Sequence, residues 1–198
     1  MTLNETARMR GTPTSCRPSL VSGSKRLRTM RDSIACALTC AALASAAANA
    51  QDCLQWHNHS DTPSIRHGYG LVHDAARSSV VLFGGHAGAA SFCGDTWELS
   101  DGQWQLRTST GPAAREHFAM TYDTVQNKTY LFGGNQASLY YSDTWEWDGT
   151  SWTPLPASGP SPRAYVSSAY DQARGVHVVF GGYNGMSELD QTWTWDGA

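Results

Sequence analysis

Positive charge is scarce beyond the first fifty residues of this 198-residue chain. After residue 50 only seven basic side chains face fifteen acidic ones, a net charge of −8. Such a surface repels phosphate backbones and anionic membranes, which argues against a nucleic-acid partner. Aromatics are missing at the other end: all eight Trp and all eight Tyr follow residue 50. Large rings suit pleated, half-buried surfaces, so the folded, β-leaning mass is expected to begin there. Long apolar runs are absent too. The longest, Ser33 to Ala48, is shorter than the roughly 20 residues a membrane helix needs.

What the first fifty residues do carry is a secretory pattern. Seven basic residues (Arg8, Arg10, Arg17, Lys25, Arg26, Arg28, Arg31) meet only Glu5 and Asp32. The Lys25–Arg31 cluster precedes an Ala-rich stretch holding Ile34, Leu38 and Leu43, which closes on Ala48-Asn49-Ala50. Basic flank, short apolar run and small-residue cleavage site describe a signal peptide. Residues 1–50 are therefore read as a signal with an extended lead, and translation from Met9 or Met30 would shorten it. The product is expected to be secreted or periplasmic after cleavage near Ala50, with no stable membrane insertion. Of five cysteines only Cys53 and Cys93 then remain, in a compartment that permits a disulfide.

The rest of the chain repeats itself. Trp97, Trp145 and Trp193 are spaced 48 and 48; Gly84-Gly85, Gly133-Gly134 and Gly181-Gly182 are spaced 49 and 48, as are Arg66, Arg115 and Arg163. Each unit divides into four short strands. The first (Gly68–His73, Phe118–Tyr122, Val166–Tyr170) ends on Asp74, Asp123 or Asp171, where an Asx turn fits. The second (Val80–Phe83, Thr129–Phe132, Val176–Phe180) is a continuous apolar run, which implies burial on both faces. The third alternates, as in Thr144-Trp145-Glu146-Trp147 and Thr192-Trp193-Thr194-Trp195, so its Trp residues share one face. Asp101-Gly102 and Asp148-Gly149 mark tight hairpins, and Trp104 or Trp152 sits on the fourth strand. One four-stranded sheet cannot bury both of its faces, so the units must stack.

With its Gly-Gly pair, spaced Tyr and Trp and roughly 50-residue period, the unit resembles the kelch repeat. The resemblance implies an all-β, kelch-type β-propeller, related in fold to the central domain of galactose oxidase. Only three blades' worth is present: residues 63–110, 111–158 and 159–198, the last lacking its fourth strand. Residues 51–62 read as an orphan outer strand, Leu54-Gln55-Trp56, and a linker. Four to eight blades close a ring, so three readings stay open: a truncated piece of a longer propeller, a homodimer completing a six-bladed ring, or a three-bladed arc.

Strand alternation puts Arg66, Arg115 and Arg163 on one face with His86, Asn135, Gln136, Tyr140, Tyr141, Tyr183 and Asn184. Rings and amides suit a protein or glycan ligand, and these ten residues are the candidate binding set. Because the arginines recur in every unit, a scaffold role against backbone carbonyls competes with ligand contact. The same topology sets Cys53 and Cys93 on opposite faces, beyond the roughly 7 Å reach of a disulfide, and leaves that pairing open. No nucleophile–base pair stands out, and no Tyr/His set has the spacing of the galactose oxidase copper site. His57-Asn58-His59 with Asp61 reads as a polar segment rather than a metal site. A binding scaffold without cofactor or metal is expected; a secreted carbohydrate-active enzyme, oxidase- or epimerase-like, is the alternative.

Overall fold

The computed structural model describes residues 62–88, 91–156 and 159–197. The proposed signal peptide, Cys53 and Leu54-Gln55-Trp56 lie outside these residues. Thirteen strands follow in order: β1 (Gly70–Asp74), β2 (Ser79–Phe83), β3 (Thr96–Ser100), β4 (Gln103–Thr108), β5 (Ala119–Asp123), β6 (Lys128–Phe132), β7 (Asn135–Gln136), β8 (Leu139–Tyr140), β9 (Thr144–Trp147), β10 (Trp152–Leu155), β11 (Ser167–Asp171), β12 (Val176–Phe180) and β13 (Thr192–Trp195). They form antiparallel meanders β1-β2-β3-β4, β5-β6-β9-β10 and β11-β12-β13, with β7-β8 as a small separate hairpin. The chain is all-β over these residues, as a partial kelch propeller requires. Among them, no helix is long and apolar enough to cross a membrane.

The turns follow from local chemistry. Asp74, Asp123 and Asp171 each accept hydrogen bonds from backbone N–H groups two or three residues on, the expected Asx turns. Asp101 and Gly102 both have positive φ (51° and 74°), which a two-residue hairpin matched to strand twist demands. The second hairpin is longer than expected. Trp147 pairs with Trp152, so Asp148–Ser151 form the loop, and the Asp148 carboxylate accepts the N–H groups of Thr150 and Ser151.

First strands begin one or two residues later than the apolar pattern suggests, for one backbone reason. Gly68, His117 and Tyr165, each two residues after its unit's Arg, adopt φ of 64°, 56° and 58°. That left-handed conformation breaks the strand. It also turns the N–H of His117 to the Gly68 carbonyl, and that of Tyr165 to the His117 carbonyl, at 2.8 Å each. A chain of backbone bonds thereby ties each blade to the one before.

Side chains fill the space between blades. Val81 and Phe83 of β2 meet Phe118, Leu131, Trp147 and Trp152 in the buried core. Trp152 is the wedge: its ring lies 5.2 Å from that of Phe83, and its Nε1 donates to Thr96 Oγ1 at 2.8 Å. The next cleft has the same walls. Phe132, Thr144 and Trp195 occupy the positions of Phe83, Thr96 and Trp147, and they line an opening of about 320 Å³ with Trp193. Among the described residues no fourth strand supplies a tryptophan there, and Trp193 stays 40% exposed, against 8% for Trp97. The expectation that second strands are buried on both faces holds for β2 and β6 but not for β12. There Phe180 is 52% exposed, because its outer face has no described neighbour.

Candidate functional site

The first question is what the recurring arginines do. Arg115 is fully buried. Its Nε donates to the Ala113 carbonyl, Nη1 to the Gly133 carbonyl at 2.9 Å, and both Nη atoms to the Asp143 carboxylate at 2.5 and 2.9 Å. Arg66 does the same with Ser64, Gly84 and Asp95. The carboxylate is in turn gripped by a tryptophan: Trp97 Nε1 donates to Asp95 and Trp145 Nε1 to Asp143, at 2.6 and 2.7 Å. Burial would raise the Asp143 carboxyl, but hydrogen bonds from Arg115 and Trp145 outweigh it and hold it below the ordinary carboxylate range.

In the third unit Gln191 stands where Asp95 and Asp143 stand in the first two. It accepts from Arg163 at 2.9 Å and from Trp193 at 3.3 Å. Arg163 is 1% exposed, and burial without a carboxylate lowers its pKa. The binding role considered for the three arginines gives way to a structural one, since their donors are spent inside each blade. Tyr141 joins them: its ring covers the Arg115 guanidinium at 3.9 Å, and its hydroxyl donates to Gln136. Asn135 is likewise buried, its backbone paired with Glu116 and its amide bonded to the Ala137 carbonyl.

Gly-Gly pairs allow these segments to approach. Gly133 has φ +71°, and a Cβ there would stand 2.7 Å from the Arg163 carbonyl oxygen of the next unit. The approach lines up the bridges His67↔His86, Glu116↔Asn135 and Ala164↔Tyr183 on one face. The loops that lead into first strands and those that follow second strands do share it.

That face carries exposed apolar and aromatic side chains. Tyr69 is 45% exposed, Leu139 56%, Tyr165 55% and Met186 91%. Tyr165 stacks on His117 at 4.2 Å, and Tyr140 meets Tyr183 edge-on at 5.9 Å. Asn184 shapes the loop beneath Met186 by accepting the N–H groups of Met186 and Ser187. Of the residues expected from sequence, His86, Gln136, Tyr140, Tyr183 and Asn184 lie at this surface. Tyr69, Leu139, Tyr165 and Met186 were not among the candidate binding residues, although Leu139 and Met186 sit in loops expected on this face, because only the fold shows which apolar residues are left uncovered.

A second group, of which only His86 was expected, lies where blades 1 and 2 meet. His67 and His86 exchange backbone bonds at 3.1 and 2.8 Å, which sets their rings 5.1 Å apart. Glu116 arrives from the next unit, with Oε2 3.4 Å from His67 Nε2 and 3.3 Å from His117 Nε2. Burial lowers the His117 pKa; Glu116 opposes this, and His67 and His86 add to it.

Comparison with known proteins agrees with this geometry. A family model described as the KLHDC2/KLHL20/DRC7 Kelch-repeats domain matches residues 37–197. This is a protein of the kelch-repeat class, built from stacked sheets that present loops. The chain belongs to that family, whose repeats serve as protein-binding scaffolds. No curated protein matches the chain.

Proposed function

We propose that this protein is an exported binding scaffold whose loop face engages a protein partner through Tyr69, Leu139, Tyr165 and Met186. The observation that carries the reading is the gathering of these exposed side chains, drawn from all three units, on one face. Aromatic and Met anchors within a polar rim of Gln136 and Asn184 have the makeup of a protein interface centre. Among the described residues, the turns of the opposite face, which include Asp101-Gly102 and Asp148-Gly149, expose one large apolar side chain, Val125.

Export rests on the basic cluster, apolar run and Ala48-Asn49-Ala50 site. A disulfide at the buried Cys93 would be compatible with it. Amino-terminal sequencing of the exported protein is expected to begin at Gln51. For the binding role, in-cell cross-linking with the parent chain should recover a partner that a Tyr165→Ala/Met186→Ala variant loses by about tenfold or more. An Asp101→Ala variant on the other face should keep it. Equal recovery by all three would end the reading, and glycan-array binding lost with Tyr165→Ala would replace protein by carbohydrate.

A further inference from the structure

We infer that His67, His86 and Glu116 form a binding site for one divalent transition-metal ion of the zinc class. The donor atoms of the three side chains lie within 4.8 Å of one another. Tetrahedral zinc with bonds of 2.0–2.1 Å would bring its ligands to about 3.3 Å apart, a closure that side-chain rotation supplies.

Three observations carry the assignment. First, Glu116 is 9% exposed, and its Oε2 is buried with no hydrogen-bond partner. A carboxylate oxygen so placed costs free energy unless something cationic or a donor meets it. Second, what it faces is imidazole. Imidazole ring nitrogens are the commonest metal donors in proteins, and His67 Nε2 already lies 3.4 Å from the Glu116 oxygen. Third, the ligands are held by backbone. His67 and His86 are locked to one another, and Glu116 exchanges bonds of 2.9 Å with Asn135. Gly68 keeps the space open, since a Cβ there would stand 3.2 Å from Glu116 Oε2.

Two nitrogens and one oxygen suit zinc, copper or nickel and disfavour magnesium and calcium, which take oxygen ligands. Three protein ligands also leave a coordination position for water or a ligand group. His117, beside the same Glu116 oxygen, supports the carboxylate. The inference does not depend on the protein-binding reading: it concerns the junction of blades 1 and 2, and its test measures metal alone.

Titrating the full chain with Zn²⁺ at pH 7.5 by calorimetry should show one site per chain. Glu116→Gln and His86→Ala should each weaken it by about tenfold or more, while His73→Ala, on the exposed side of β1, leaves it unchanged. Circular dichroism of the metal-free variants checks that each is folded, and either folded variant suffices for the comparison. No Zn²⁺ uptake by the parent chain would overturn the assignment. So would binding that survives both substitutions, or that disappears on changing His57 and His59 instead.

Discussion

Arg115, Asp143 and Trp145 form a three-part clasp, and the third unit shows what happens when one part changes. Asp143→Asn would leave the buried Arg115 without its counter-charge. The expected loss is about 2–3 kcal/mol, at the low side for a broken buried pair because Asp143 is partly exposed. Gln191→Asp, which restores the carboxylate beside Arg163, should stabilise by about 1 kcal/mol. Urea denaturation of both variants measures this, and opposite signs are the expected outcome. His177 sets a pH response. It is 5% exposed, bonded through Nδ1 to Thr121, 3.6 Å from Asp123, and ringed by Tyr130, Tyr170 and Trp195. Burial lowers its pKa, against the opposing pull of Asp123. The unfolded chain therefore takes up this proton first as pH falls below about 6.5, and stability is lost with acidification through that range. The thermal midpoint should drop between pH 7 and 5.5, and less steeply in His177→Gln.

Between elements, the deciding contact is the wedge. Trp152→Ala empties a filled cleft and should cost about 4 kcal/mol. Trp193→Ala, in the open cleft between blades 2 and 3, should cost about half as much, because that ring still meets solvent. Chemical denaturation of the two variants tests the difference; equal losses would mean that the second cleft is closed in solution. The glycine pairs act at the same scale. Gly133→Ala would set a methyl against the Arg163 carbonyl at a backbone angle that disfavours any side chain, and a loss of roughly 2 kcal/mol is expected. The four-strand rhythm was legible because Asp, Gly-Gly and Trp sit where turns and clefts need them. The delayed start of the first strands was not, since nothing in Arg-Glu-His or Arg-Ala-Tyr announces a left-handed residue. That conformation is imposed by the bond each such residue makes to the preceding blade.

For the whole molecule, stacking leaves the outer face of the β11-β12-β13 sheet uncovered among the described residues. Phe180, half exposed on β12, is the equivalent of Phe83 and Phe132, which are buried by a following blade. An apolar sheet face of this kind promotes association. The 198-residue chain is expected to gain mass with concentration in sedimentation runs, and Phe180→Ser should weaken that rise. A mass of two chains at the plateau would favour the six-bladed homodimer over other assemblies.

Period, the meander order of the main strands, the Asx turns after the first strands and the acidic character of the folded part were determined by the sequence alone. They depend on residue type at fixed spacing, and three copies make the spacing plain. Only tertiary structure decided what each residue is for. Arg115 and Tyr141 look like ligand contacts in the linear order, yet packing turns them inward onto carbonyls and one another. His67, His86 and Glu116 are up to 49 positions apart and meet solely because adjacent blades bring their loops within reach. Function at a blade junction is a property of neighbours across a gap, and distance along the chain does not reveal it.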